Sequence, residues 1–69
     1  MDKVRVGVIG CGGRGNAHAL GYSLSPRAEL VACCDSHLPA AEIMASRYGF
    51  AKAYADYREM LAEARLDVV

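Results

Sequence analysis

Six residues, Gly10-Cys11-Gly12-Gly13-Arg14-Gly15, constrain this chain more than any others: they follow an apolar run, Val4-Arg5-Val6-Gly7-Val8-Ile9, and open a stretch of helical character. The three spaced glycines each have a separate physical use. Gly10 permits a sharp turn out of a strand, Gly12 lets the backbone come close to a ligand with no Cβ between them, and Gly15 lets a helix pack tightly on the strand. The N-terminus of that helix offers free N–H donors and a partial positive charge, the combination a pyrophosphate needs. Asp35 strengthens the reading. It closes a second apolar run twenty residues beyond Gly15, where a carboxylate can accept hydrogen bonds from the hydroxyls of an adenosine ribose. Gly10, Cys11, Gly12, Gly13, Arg14, Gly15 and Asp35 are therefore the expected dinucleotide site. Within it, Cys11 would present only its backbone N–H, and Arg14 would either touch the pyrophosphate or stand in solvent. A carboxylate at position 35 repels a 2′-phosphate, and Ser36 and His37 follow where an arginine would accept one, so NAD is expected in preference to NADP.

Sixty-nine residues make one small domain or part of one. Leu66-Asp67-Val68-Val69 reads as a strand with no turn or cap after it, so the expectation is a partial dinucleotide-binding domain over residues 1–69, with a C-terminal substrate domain outside this sequence. On that reading the isolated segment would be marginally folded and inactive. Eight basic residues balance eight acidic ones, which gives no electrostatic reason for a nucleic-acid or anionic-membrane partner. No stretch approaches the length of a membrane span, and the run before Cys11, interrupted by Arg5, is too short for an export signal. The three cysteines, with Cys33 and Cys34 pointing to opposite faces of a strand, suit buried thiols in a reducing cytoplasm better than a disulfide framework. Cys11, Cys33, Cys34, His18 and His37 contain no pair at the spacing of a structural zinc site, so no metal is expected.

Along the chain, Val4, Val6 and Val8 fall on one face of a first strand and Arg5, Gly7 and Ile9 on the other. Arg14 to Leu24 follows as a helix whose small residues, Gly15, Ala17, Ala19 and Gly21, permit close approach to a sheet, and Ser25-Pro26 ends it. Glu29 to Cys34 is apolar on both faces, as a central parallel strand should be. Pro39 starts a second helix with an apolar stripe of Ala41, Met44, Ala45 and Tyr48, closed by Gly49. Ala51-Lys52-Ala53-Tyr54 is a short edge strand. Asp56-Tyr57-Arg58-Glu59 has capping-box spacing before a third helix whose apolar side is Met60, Leu61 and Ala64. Right-handed crossovers then predict a doubly wound parallel sheet, an α/β Rossmann-type fold truncated at strand order 3-2-1-4, with the topological switch point beside the glycine loop.

Taken together, these residues resemble the N-terminal part of the glucose-fructose oxidoreductase, inositol dehydrogenase and MocA-like family (Gfo/Idh/MocA). The resemblance covers the whole chain. It rests on Val4 to Ile9, the Gly-Gly-Arg-Gly ending of the loop, His18, Asp35, Ala45-Ser46-Arg47-Tyr48-Gly49, Asp56 to Leu61 and Asp67-Val68-Val69. What it implies is an NAD(P)-dependent oxidoreductase of sugars, cyclitols or related polyols, whose C-terminal α/β domain shapes the substrate site and often mediates homo-oligomerisation. The family's catalytic lysine, in a Glu-Lys-Pro motif, and its later histidine lie beyond Val69, so no catalytic residue carries over.

Other readings stand beside this one. A non-catalytic NAD(P)-sensing module would keep the same fingerprint, and a flavin site commonly begins with the same half-fold. A methyltransferase usually has an acidic residue just before the loop, where this chain has Val8-Ile9. Asp35 could merely cap a helix or close a turn. His18 reads as a packed, hydrogen-bonded helix residue, and Tyr48, Tyr54 and Tyr57 as packing residues.

Overall fold

The computed structural model describes residues 3–69, except for the side chain of Arg14. Its elements run β1 (Val4–Ile9), α1 (Gly13–Ser23), β2 (Ala28–Cys34), α2 (Leu38–Tyr48), β3 (Lys52–Tyr54) and α3 (Tyr57–Glu63). The three strands form one parallel sheet with β2 in the centre. Val68 makes a parallel bridge to Val6. Arg5 O and Gly7 N serve that bridge, and because alternate residues of a strand direct their backbone groups to opposite edges, it lies on the edge of β1 away from β2. The order 3-2-1-4 therefore holds, but the fourth strand expected over Leu66 to Val69 is reduced to this single bridge.

Helices cover both faces of the sheet. On one face, Val8 and Cys33 pack with Ala19 of α1, Ala41 and Met44 of α2, and Phe50. On the other, Val31, Ala32, Cys34 and Tyr54 pack under Met60 of α3, with Leu66 at the margin. Cys33 and Cys34 thus face opposite ways, as expected for neighbours on a strand. Val31 and Ala32 share a face, which alternation forbids. The register explains it: Val6 pairs with Leu30 and Gly7 with Ala32, so Val31 is a bulge and resets the period.

Two packing expectations are corrected. Of the four small residues of α1, only Gly15 and Ala19 are buried, one turn apart on the sheet side, while Ala17 and Gly21 are exposed. Leu61 is exposed, and α3 seals its core through Met60 alone among its own residues. The helix ends are closer to expectation. Gly49 ends α2 in the left-handed conformation with its N–H on Ala45 O, and Asp56 caps α3 by accepting from Arg58 N at 2.9 Å. That cap bonds the second helical N–H rather than the third, so the reciprocal box with Glu59 does not form.

Burial pushes the Cys33 thiol up to about 12, and its Sγ donates to Ala41 O at 3.2 Å. A thiol whose folded value is raised adds stability that is whole below its ordinary range and is lost as pH rises through that range toward 12. Alkylation with iodoacetamide at pH near 8, read by peptide mass spectrometry, is expected to leave Cys33 unmodified in the folded protein and to modify it after denaturation. Rapid native-state labelling of Cys33 would contradict the packing.

Candidate functional site

The site lies at the C-terminal ends of β1 and β2, where the chain leaves β1 and turns into α1. Gly10 makes that turn with φ of 88°, in the left-handed region that a side chain disfavours, and its N–H still donates to Cys34 O at 2.8 Å. The loop is therefore anchored to the end of β2. Gly15 is buried directly behind it, so that a Cβ there would collide with the Gly10 carbonyl. Gly12 and Gly13 are different: an added Cβ would meet nothing within 4 Å. Close packing thus explains Gly15, whereas the bare backbone at Gly12 and Gly13 borders open space.

The first backbone bond of α1 runs from Asn16 N–H to Gly12 O at 2.9 Å, which leaves the N–H groups of the preceding turn without helical acceptors. Gly12 is the N-cap residue and supplies no side chain to use them, nor does the first turn contain an acidic residue. The helix start keeps its donors and its partial positive charge available to an anion. The Arg14 side chain, expected near a pyrophosphate, lies outside the described residues.

Asp35 does more than the spacing suggests. Its Oδ2 accepts from Cys11 N at 2.9 Å and its Oδ1 from His37 N at 2.9 Å, so one carboxylate ties the glycine loop to the entry of α2. The Cys11 N–H, expected to face a cofactor, donates to Asp35, which the short reach between the ends of two paired strands brings beside it. Donation from Cys11 and His37 holds the Asp35 carboxyl below its usual range. A group with a lowered folded value stabilises the fold above its ordinary range, and that contribution disappears as pH falls through the lowered value. At neutral pH the carboxylate is charged, and its two oxygens have lone pairs left for ribose hydroxyls. It borders a cleft of about 410 Å³ lined by Ile9, Gly10, Ser36, Asp56 and Tyr57 among others. Cys11 is half-buried, its thiol pushed up by burial and by the nearby Asp35 charge.

Asn16 has no place in the glycine fingerprint, yet it holds the loop. Its Nδ2 donates to Cys11 O at 3.0 Å and Gly12 O at 2.9 Å, while its Oδ1 accepts from Tyr48 Oη at 3.1 Å and from the Arg47 guanidinium at 3.3 Å. No local signal marks it, because its partners on α2 lie more than 30 residues away. Tyr48 and Tyr54 pack as expected. Tyr57 is half exposed at the cleft, and His18 is exposed beside Tyr22 rather than packed. Among the described residues no three His, Cys, Asp or Glu side chains gather as metal ligands, and no helix is long and apolar enough to cross a membrane.

Comparison with known proteins agrees with this geometry. Residues 4–69 match the family described as the oxidoreductase family with an NAD-binding Rossmann fold, GFO_IDH_MocA. The chain is similar to D-glucoside 3-dehydrogenase of Escherichia coli, 40% identical over 69 residues, or 99% of this chain and 20% of that protein. It is also similar to glycosyl hydrolase family 109 protein 1 of Akkermansia muciniphila, 32% identical over 78 residues, covering 100% of this chain and 16% of that protein. Among solved structures, a myo-inositol dehydrogenase from Corynebacterium glutamicum superposes with a TM-score of 0.86 at 28% identity, over 96% of this chain and 20% of that one. The chain therefore spans about a fifth or less of the length of the relatives it matches. A match that runs from the first residue of β1 to the last residue of the chain, on a fold whose glycine turn, helix start and acidic strand end stand together, places this chain in the Gfo/Idh/MocA family, the oxidoreductase family with an NAD-binding Rossmann fold.

Proposed function

We propose that this segment holds the cofactor of an NAD-dependent dehydrogenase acting on a sugar, cyclitol or related polyol. The observation that carries the reading is the meeting of the bare loop at Gly12 and Gly13, the unused helix start and the charged Asp35 at one end of the sheet. In this reading the first turn of α1 receives the pyrophosphate, and Asp35 accepts from the hydroxyls of the adenosine ribose. Gly10 and Gly15 hold the loop against the sheet. When bound, the nicotinamide supplies hydride transfer, and the protein supplies orientation and electrostatics. The polyol assignment draws on the relatives, two of which are named as glucoside and inositol dehydrogenases.

Preference for NAD follows from the charge state of Asp35, since two backbone N–H donors favour the carboxylate form and a carboxylate repels a 2′-phosphate. Titration of NAD and NADP into the full-length protein tests this. NAD is expected to bind more tightly, and Asp35→Ala to weaken NAD about tenfold or more while narrowing the gap to NADP. Tighter NADP binding by the unaltered protein would refute the role given to Asp35.

A second reading rests on the relative named as a glycosyl hydrolase. A dehydrogenase converts added NAD to NADH in step with polyol oxidation. A hydrolase would release sugar from a glycoside with no net cofactor reduction, and a nucleotide sensor would bind the cofactor and turn over neither substrate.

A further inference from the structure

Asn16 binds two successive carbonyls of the loop, with its amide nitrogen on Cys11 O and Gly12 O. Among the described residues no peptide bond is cis. In a trans peptide the C=O and the following N–H point in opposite directions across one plane. Cys11 C=O shares its plane with Gly12 N–H, and Gly12 C=O shares its plane with Gly13 N–H. Fixing the two carbonyls on Asn16 therefore turns the two N–H groups away from Asn16, at the two residues whose missing Cβ atoms border open space. The amide could do this only in one orientation, since a flipped Asn16 would set its oxygen against two carbonyl oxygens. Tyr48 Oη and the Arg47 guanidinium both lie within hydrogen-bonding distance of Oδ1, and a guanidinium can only donate, so these partners select the orientation.

We propose that Asn16 is a positioning residue for pyrophosphate binding: it aims the Gly12 and Gly13 N–H groups, and Arg47 together with Tyr48 keeps its amide the right way round. The proposal rests on the dinucleotide reading above and adds to it a residue outside the glycine fingerprint.

The test uses the full-length protein and three probes, NAD, ADP and adenosine, titrated into unaltered protein, Asn16→Ala and Tyr48→Phe. Asn16→Ala is expected to weaken NAD and ADP roughly tenfold or more and to leave adenosine unchanged, because only the first two carry the diphosphate. Tyr48→Phe keeps the ring and loses one donor, so a shift of about two- to fivefold is expected with the same probe selectivity. With polyol turnover as readout, the KM for NAD rises and kcat at saturating NAD holds. Equal losses for ADP and adenosine would show general loosening and overturn the proposal. So would unchanged ADP affinity in Asn16→Ala. If Asn16→Ala does not fold, Tyr48→Phe decides by the same criterion. Failure of the unaltered protein to bind NAD or ADP would instead remove the dinucleotide reading, and this proposal with it.

Discussion

Replacing Gly15 with alanine is expected to destabilise the protein by about 3 kcal/mol or more, against the direction that helix propensity predicts. In an ordinary helix interior the change from glycine to alanine is favourable by about 1 kcal/mol. Here the added Cβ would lie on the Gly10 carbonyl, 2.9 Å from its carbon and nearer still to its oxygen. That neighbour is backbone, held by a turn at φ of 88° and by the bond from Gly10 N to Cys34 O, so it has no rotamer through which to yield. The helix must retreat from the strand end. Overpacking of this kind usually costs about 1–3 kcal/mol, and a backbone collision belongs at or above the upper limit. Gly21 supplies the control. It stands on the same helix with nothing within 4 Å of its added Cβ, so Gly21→Ala is expected to stabilise by about 0.5–1 kcal/mol. Denaturant unfolding of both variants in the full-length protein gives the comparison. Equal effects, or a stable Gly15→Ala protein, would disprove the close packing assigned to Gly15.

Gly12→Val is expected to do the reverse, leaving the fold intact and removing cofactor binding. Gly12 has φ of −81° and ψ of −158°, an extended backbone with no positive φ, and its Cβ would project into open space. Stability should change little. A bound pyrophosphate, however, would meet two methyl groups where it must approach the backbone, and affinity for NAD is expected to fall about 100-fold, near 3 kcal/mol. Calorimetric titration beside a thermal unfolding curve separates the effects. A folded Gly12→Val protein with near-normal NAD affinity would move the ligand off this loop. The pair of substitutions assigns two glycines three residues apart to different work, one to the protein's own packing and one to its ligand.

How far the sequence alone reached can be judged from the same residues. The glycine spacing identified the turn, the helix start and the ligand class, because each follows from backbone freedom and from what a missing Cβ permits. Apolar runs and helix-ending residues placed β1, β2, α2 and the Asp56 cap within a residue or so, since these depend on neighbours a turn or a strand pair away. The turn that the Asp35 side chain closes with His37 was within the reach of sequence spacing, but its bond to Cys11 was not. The bulge at Val31, the reduction of the fourth strand to a single bridge at Val68 and the exposure of Tyr57 also escaped, for each depends on how crossovers set one element against another.

Asn16 marks the boundary most clearly. Its identity as a polar residue near a helix start says nothing of four hydrogen bonds, two of them to a helix that begins more than 20 residues later. Chain-local physics determined that a nucleotide-type loop forms here and what it is made of, because φ preference, side-chain period and helix-end polarity act over a few residues. The direction in which the loop's donors point, and the N–H that Asp35 withdraws from them, were decided only when α2 and the end of β2 were packed beside the loop, since a hydrogen bond requires its partners within about 3 Å whatever their separation along the chain.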